Sequence, residues 1–354
     1  MRLRALIITF ARKNVALIVQ QNVSLKPYNT FGLDENAGFL ALVQSIDDLD
    51  EIFMTGRFRS QKKMILGGGS NILFTRGFSG VVAKMEIKGL HTLSETDEHV
   101  IVSIGAGENW HQFVLWCVER GFGGVENLSL IPGTVGAAPM QNIGAYGVEL
   151  KEVFHSLEAY ELKTGKLATF YKEDCKFGYR YSVFKGELRD KYAITKVNFK
   201  LSKKPTFNIS YGNLKDTLEQ MGVEELSLKA VSQAVINIRQ SKLPDPMDIG
   251  NAGSFFKNPI IEKLHFEALE AQFPDIKCYP VDDENVKLPA AWLIEKAGWK
   301  GYRYGDIGVH ENQALVLVNH GAGRGKEIYK LSNDIMKSVQ GEFGIELERE
   351  VNVI

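Results

Sequence analysis

Several short segments of this chain hold residue types that can do chemistry. Gly67-Gly68-Gly69-Ser70-Asn71 sets three glycines in a row before a hydroxyl and an amide. That exceeds what a hairpin connection needs, and bare N–H groups beside polar donors form a nest suited to a phosphate. Ile131-Pro132-Gly133-Thr134-Val135-Gly136-Ala137-Ala138-Pro139 is a second such element, and two phosphate-type loops point to a diphosphate nucleotide. Gly178-Tyr179-Arg180-Tyr181 places an arginine between aromatics, where its guanidinium can be held flat to grip a carboxylate with two parallel bonds. The run Gly250 to Pro259 carries Ser254 between small residues and the pair Phe255-Phe256, a recipe for a hydroxyl aimed into a dry pocket. No G-x-S-x-G elbow and no neighbouring histidine accompany it, so that serine is suited to give up a proton rather than to attack.

Other motifs are blander. Gly321-Ala322-Gly323-Arg324-Gly325-Lys326-Glu327 fails the dinucleotide pattern at Lys326 and the P-loop pattern at its spacing and at Glu327, and reads as a strand-to-helix turn. Glu346, Glu348 and Glu350 share one face of a predicted terminal strand over 345–351, with Ile345, Leu347 and Val351 on the other. Arg239 and Lys242 lie three apart at a helix end, so both face one way.

The elements that must position these groups are mixed. Ser45 and Asp48 announce a capped helix ending near Gly56, followed by a strand at Met64–Leu66, the glycine turn, and a strand at Ile72–Phe74. Strands are expected at 81–87, 100–104 and 193–201. A helix with Trp110, Phe113, Val114 and Cys117 on its face stops at Gly121, and Ser227 caps another running to Lys242. Pro244 and Pro246 mark a domain boundary, beyond which a helix at 290–297, a strand at 314–318 and a long helix from Lys326 to about Gln340 follow.

Composition bounds the rest. With 354 residues the chain exceeds one typical domain, and 44% hydrophobic residues suffice for a large core. Lys plus Arg number 42 and Asp plus Glu 43, so no global field draws the protein to nucleic acid or an anionic membrane. Cys117, Cys175 and Cys278 are odd in number and far apart, which fits buried thiols in a reducing compartment and no disulfide framework or metal site. The basic, partly apolar first twenty residues lack a clean cleavage site, and no stretch approaches the roughly 20 apolar residues of a membrane span. They read as an N-terminal extension of a cytoplasmic protein.

Taken together, Asn29-Thr30-Phe31, the two glycine loops, Gln141-Asn142-Ile143-Gly144-Ala145-Tyr146-Gly147, Gly178-Tyr179-Arg180, Lys242-Leu243-Pro244-Asp245-Pro246, Gly250 to Pro259 and Glu350-Val351 resemble the UDP-N-acetylenolpyruvoylglucosamine reductases, from about Tyr28 to the last residues. The resemblance implies an α+β fold. A two-domain FAD-binding module of the vanillyl-alcohol-oxidase type would occupy 21–88 and 89–243, after an extension over 1–20, with an α+β substrate-binding domain over 244–354. It implies catalytic roles for Arg180, Ser254 and Glu350, the last either orienting the reacting group or, if protonated, sharing in the donation. FAD contacts fall on Gly67, Gly68, Gly69, Ser70, Asn71, Pro132, Gly133, Thr134, Gly136, Ala137, Asn142, Gly144 and Gly147. Tyr211 marks the form with a tyrosine-bearing loop, with further substrate contacts at Arg239, Lys242, Asn258 and Gln313.

The activity so implied is NADPH-dependent reduction of an enolpyruvyl UDP-sugar through FAD in peptidoglycan synthesis, NADPH and sugar using one site in turn. The expected partner is that small molecule, with no nucleic acid, no membrane, no metal and a monomeric chain. An FAD-dependent oxidase on the same flavin fold and a non-catalytic UDP-sugar-binding flavoprotein are the rival readings.

Overall fold

Ser45 accepts the N–H of Asp48 while Asp48 accepts that of Ser45, a reciprocal cap that opens helix α1 (Ile46–Phe53) and stabilises it by about 0.5–2 kcal/mol. The other helices are α2 (Trp110–Glu119), α3 (Leu214–Gln220), α4 (Leu228–Lys242), α5 (Lys263–Gln272), α6 (Ala290–Lys296) and α7 (Gly325–Phe343). The predicted stops hold where they rest on backbone chemistry: Gly121 adopts φ +73° just past α2. Ser227 Oγ accepts the Ala230 N–H at the start of α4. The computed structural model describes residues 7–10, 17–55 and 58–354, so the end of α1 expected near Gly56 lies outside the described residues.

The chain partitions into two units. The first comprises Met1–Val23, Asn36–Gly69 and Phe78–Ser241. One of its five-stranded sheets runs Ile7–Phe10, Leu17–Ser24, Asn36–Val43, Phe78–Met85, Lys63–Leu66, the last three parallel. The other, antiparallel, runs Leu167–Tyr171, Phe154–Glu161, Tyr192–Ser202, His99–Gly105, Leu90–Glu95. The extension expected over 1–20 lies partly outside the described residues, and of the remainder Ile7–Phe10 pairs with Leu17–Gln20. A large core lies against the two sheets, where Trp110 and Phe113 of α2 meet Phe199 at ring separations of 5.8 and 4.9 Å, and a smaller one joins α3 and α4 through Leu214, Leu218, Val231, Val235 and Ile238. Such aromatic pairs add about 0.5–1.5 kcal/mol each beyond their burial.

The second unit comprises Ser24–Glu35, Ser70–Gly77 and Lys242–Ile354. Its main sheet is antiparallel in the order Gly250–Ser254, Val316–Asn319, Ile307–Val309, Arg303–Tyr304. Ile260–Glu262, Asn285–Lys287 and Tyr279–Pro280 form a smaller one. The Gly321–Gly325 segment is the turn into α7 that its failed motifs suggested. The terminal strand expected over 345–351 is not one: that stretch makes a single bridge, Arg349 to Phe256, and only Asn352–Val353 forms a strand, parallel to Ile72–Leu73. Among the described residues, no helix is long and apolar enough to cross a membrane.

Candidate active site

In the first unit the two glycine loops lie against each other. A Cβ on Gly68 would stand 2.7 Å from Gly133 Cα, and one on Gly67 would stand 3.0 Å from Thr134 Oγ1 and 3.3 Å from the Ala137 side chain. Carbon atoms prefer about 3.5–4.0 Å, so at Gly68 only glycine permits this approach, and a side chain at Gly67 would crowd Thr134 and Ala137. The second loop is stitched to the segment before α2: Trp110 N–H donates to Gly133 O (3.1 Å), Val135 N–H to Glu108 O (2.9 Å) and Gly136 N–H to Ala106 O (2.9 Å). A side chain at Gly136 would strike Ala106 at 2.4 Å. Within this framework Thr134 Oγ1 is buried with no hydrogen-bond partner in the protein. Buried hydroxyls are normally paired, so an unpaired one beside a glycine cradle is what a phosphate-bearing ligand would satisfy. A dinucleotide such as FAD fits here, and its diphosphate would be held by the loops of Gly67, Gly68, Gly133 and Thr134. Pro132 is exposed at the start of the second loop.

A second cluster in the same unit carries charge. Gly178 and Tyr181 exchange backbone hydrogen bonds (3.0 and 3.2 Å), closing a tight turn with Tyr179 and Arg180 at its tip. Arg180 Nη2 donates to Gly144 O at 2.8 Å, and its guanidinium lies 5.3 Å from the Tyr179 ring centroid. Asn142 is fully buried, and its side chain is spent on the protein: Nδ2 donates to Glu149 (3.0 Å) and Gly178 O (3.1 Å), and Oδ1 accepts from Lys151 N–H. Its side chain thus fixes the turn that presents Arg180. Asn127 Nδ2 joins the carbonyls of Tyr146 and Asn208, both at 2.8 Å, and Asn208 donates to Gly147 O. This brings the Tyr211 loop to Gly147, where a Cβ would lie 3.2 Å from that of Tyr211.

Arg239 of α4 donates from Nε to Leu130 O (3.2 Å). Burial pulls its pKa below the ordinary guanidinium value, the Tyr146 phenol opposes this, and the charge of Arg180 adds to it. Arg180, Arg239 and Tyr146 therefore share one electrostatic neighbourhood. Leu130, Asn142, Tyr146 and Arg180 all adopt left-handed backbone, with φ of +58°, +45°, +48° and +52°. Such strain costs about 1–3 kcal/mol per residue and concentrates at functional sites. Two further members of the cluster lack sequence signals: His111, whose Nδ1 accepts the Leu130 N–H at 3.0 Å, and Asn127. Tyr146 had one, its place between Ala145 and Gly147.

The second unit holds Ser254 and Glu350. A bulge between Asn251 and Ser254 aims the end of that strand, and Gly253 within it adopts φ +67°. Asn251 Oδ1 accepts the Gly253 N–H at 2.9 Å. Behind it the Asn29–Phe31 segment packs closely, since a Cβ on Gly250 would stand 2.2 Å from Phe31 O. Phe255 and Phe256 next to Ser254 are buried, ring to ring at 5.3 Å. Glu350 N–H donates to Phe255 O at 2.9 Å, so the carboxylate-bearing segment runs beside the serine strand. Asn71 serves this segment: its Nδ2 donates to Glu350 O (3.2 Å) and its carbonyl accepts from Asn352 N–H (3.1 Å).

Of the expected substrate contacts, Asn258 Oδ1 accepts the Ala290 N–H that opens α6 (2.9 Å). Gln313 turns the chain into the strand paired with Ser254, its carbonyl accepting from Val316 N–H. Lys242 is the last residue of α4. Among the described residues no three His, Cys, Asp or Glu are grouped to hold a metal ion.

Residues 37–171 match the model of the FAD binding domain family. With the glycine cradle and its unpaired hydroxyl, this defines an FAD-dependent flavoprotein on a two-sheet FAD-binding module. Residues 245–354 match the UDP-N-acetylenolpyruvoylglucosamine reductase C-terminal domain model. The UDP-N-acetylenolpyruvoylglucosamine reductase of Amoebophilus asiaticus is 51% identical over 336 residues, covering 95% of this chain and 99% of that one. That of Pseudomonas aeruginosa is 47% identical, covering 96% and 100%. The crystal structure of the Thermus caldophilus UDP-N-acetylenolpyruvylglucosamine reductase has the same fold, with a TM-score of 0.66 at 23% identity over 95% of this chain and 99% of that one. The chain belongs to the UDP-N-acetylenolpyruvoylglucosamine reductase family.

Proposed function

We propose that this chain reduces the enolpyruvyl group of UDP-N-acetylenolpyruvoylglucosamine to UDP-N-acetylmuramate, with NADPH as donor, in the peptidoglycan synthesis of a bacterial cytoplasm. FAD, held by the glycine loops of Gly67–Gly69 and Gly133–Gly136, would supply the hydride transfer between NADPH and the terminal vinyl carbon. Residues 21–88 and 89–243 hold FAD and residues 244–354 the sugar, in a monomeric chain with Tyr211 on a loop over the substrate. The observation that supports this most is the pairing of Arg180 with Arg239. Two guanidiniums whose charges bear on each other form a neighbourhood that favours anionic ligands, and the substrate brings a carboxylate and a diphosphate.

In this reading Arg180 grips the carboxylate. Hydride delivery leaves enolate charge there, so the contact strengthens toward the transition state, which is what accelerates the step. Ser254 then protonates the adjacent carbon: its hydroxyl is a weak acid in water but adequate toward a strongly basic enolate against a wall of phenylalanine. Glu350, beside it, orients that group or shares its proton. Arg239 and Lys242 hold the diphosphate, a remote anchor that positions the vinyl carbon. The experiment is NADPH oxidation by purified protein with and without the UDP-sugar, the product weighed by mass spectrometry. A sugar-dependent rate and a product heavier by two hydrogens are expected. NADPH consumption that needs oxygen and ignores the sugar would transfer the chain to the oxidases.

A further inference from the structure

The last ten residues carry an arginine where their own pattern calls for an apolar side chain. Ile345, Leu347 and Val351 are buried at 2%, 2% and 4% exposure, and Arg349 falls in the same alternation. Its guanidinium is received by α7. Nε donates to Ser332 Oγ at 2.8 Å, Nη2 donates to Asn333 Oδ1, and the group lies 4.7 Å from the Tyr329 ring centroid. Ser332 is fully buried and committed in both directions, accepting from Arg349 while donating to Tyr329 O at 2.7 Å. These partners are neutral, and together they give this guanidinium two hydrogen bonds and one aromatic ring on α7.

Backbone pairing alone fixes this segment weakly. Across residues 345–351 there is one bridge, Arg349 to Phe256, flanked by Lys257 N–H to Glu348 O and Glu350 N–H to Phe255 O, both at 2.9 Å. A slip by one residue in an extended segment exchanges its two faces. Here it would turn Glu350 toward the core and take the guanidinium away from half-buried Asn333 and from buried Ser332, whose hydroxyl would keep only its bond to Tyr329 O.

We infer that Arg349 is a positioning residue whose anchorage on α7 fixes the register of the terminal segment and thereby holds Glu350 beside Ser254. The inference rests on the proposed function, in which those two residues serve the protonation step. Its test is a double-mutant cycle with Arg349→Met and Glu350→Gln, each variant reduced by NADPH without air and then mixed rapidly with the UDP-sugar. Displacement of a reacting group by about 1 Å costs on the order of 10²-fold, and Arg349→Met should slow the sugar step on that order. FAD content and the NADPH step should stay as in the parent. Because Arg349 acts through Glu350, the double variant should be no slower than Glu350→Gln alone.

Asn333→Ala removes only one receiver of the guanidinium, and should give a smaller loss with the same non-additivity if Arg349→Met does not fold. Multiplicative losses would overturn the inference, as would a parental sugar step in Arg349→Met beside a slow one in Glu350→Gln. If Glu350→Gln leaves the sugar step unchanged, the role of Glu350 fails, and the inference with it.

Discussion

Replacing Thr134 by valine keeps the side chain's shape and removes one hydroxyl, and the structure predicts opposite effects on the empty and the loaded protein. Thr134 is 8% exposed and its Oγ1 has no partner in the protein. An unpaired buried polar group costs about 1–3 kcal/mol, so valine should stabilise the flavin-free protein by about that much. In the proposed reading the hydroxyl would donate to a phosphate oxygen of bound FAD. A hydrogen bond to a charged group contributes about 1.5–3 kcal/mol, so FAD should bind the variant roughly 10- to 150-fold more weakly. The assay has two arms on protein stripped of flavin: urea unfolding, where the midpoint should rise at unchanged slope, and titration with FAD followed by flavin fluorescence. A variant that is less stable when empty and binds FAD as tightly as the parent would show that Oγ1 is satisfied within the fold, and the cradle would lose its main support.

Two other outcomes follow from burial. Cys117 and Cys175 are buried, their thiols pushed up, that of Cys175 to about 12, while Cys278 is half-buried. A maleimide at neutral pH should label native protein at Cys278 alone and all three thiols after unfolding, and a second label on native protein would contradict the packing. Burial, and then the charge of Arg239, hold the His111 imidazole below its ordinary value. The unfolded chain then takes up that proton at higher pH than the folded one, so stability should fall as pH drops below the ordinary histidine value of about 6.5. His111→Asn should flatten part of that slope in urea midpoints, and an unchanged slope would clear His111 of the effect.

Local chemistry was legible in the sequence and long-range pairing was not. The reciprocal cap at Ser45, the glycine stop at Gly121 and the serine at the head of α4 are written within a few residues, and each stands where expected. The Gly67–Asn71 turn looked like part of a strand–turn–strand unit, yet Lys63–Leu66 pairs with Phe78–Met85 and Ile72–Leu73 with Asn352–Val353. Nothing near the turn encodes partners so far along the chain. Asn36–Val43 escaped because it is apolar without a strict alternation, as strands in parallel ladders are. α5 escaped because only Phe266 and Leu269 of its ten residues are buried, too few for a periodic signal. The alternation over 345–351 reported burial correctly and pairing wrongly, since a period of two records which faces meet the core and not whether a neighbouring strand is there. At the site, the glycine loops, the Arg180 turn and the Ser254 run were readable from residue type. The left-handed backbone at Tyr146 and Arg180, and the contact of Arg239 with Leu130 across 109 residues, depend on the folded chain.

The most direct test of the account separates the two halves of the reaction. Parent protein and Ser254→Ala are each reduced by NADPH without air and mixed with the UDP-sugar, and the return of oxidised flavin is followed by absorbance. The account predicts rapid reoxidation in the parent without oxygen, with one product molecule formed per flavin. In Ser254→Ala the NADPH step should be unchanged and the sugar step slower by about 10²- to 10⁴-fold, the range of a lost general acid. Parental reoxidation in Ser254→Ala, or reoxidation in the parent only when oxygen is admitted, would contradict it.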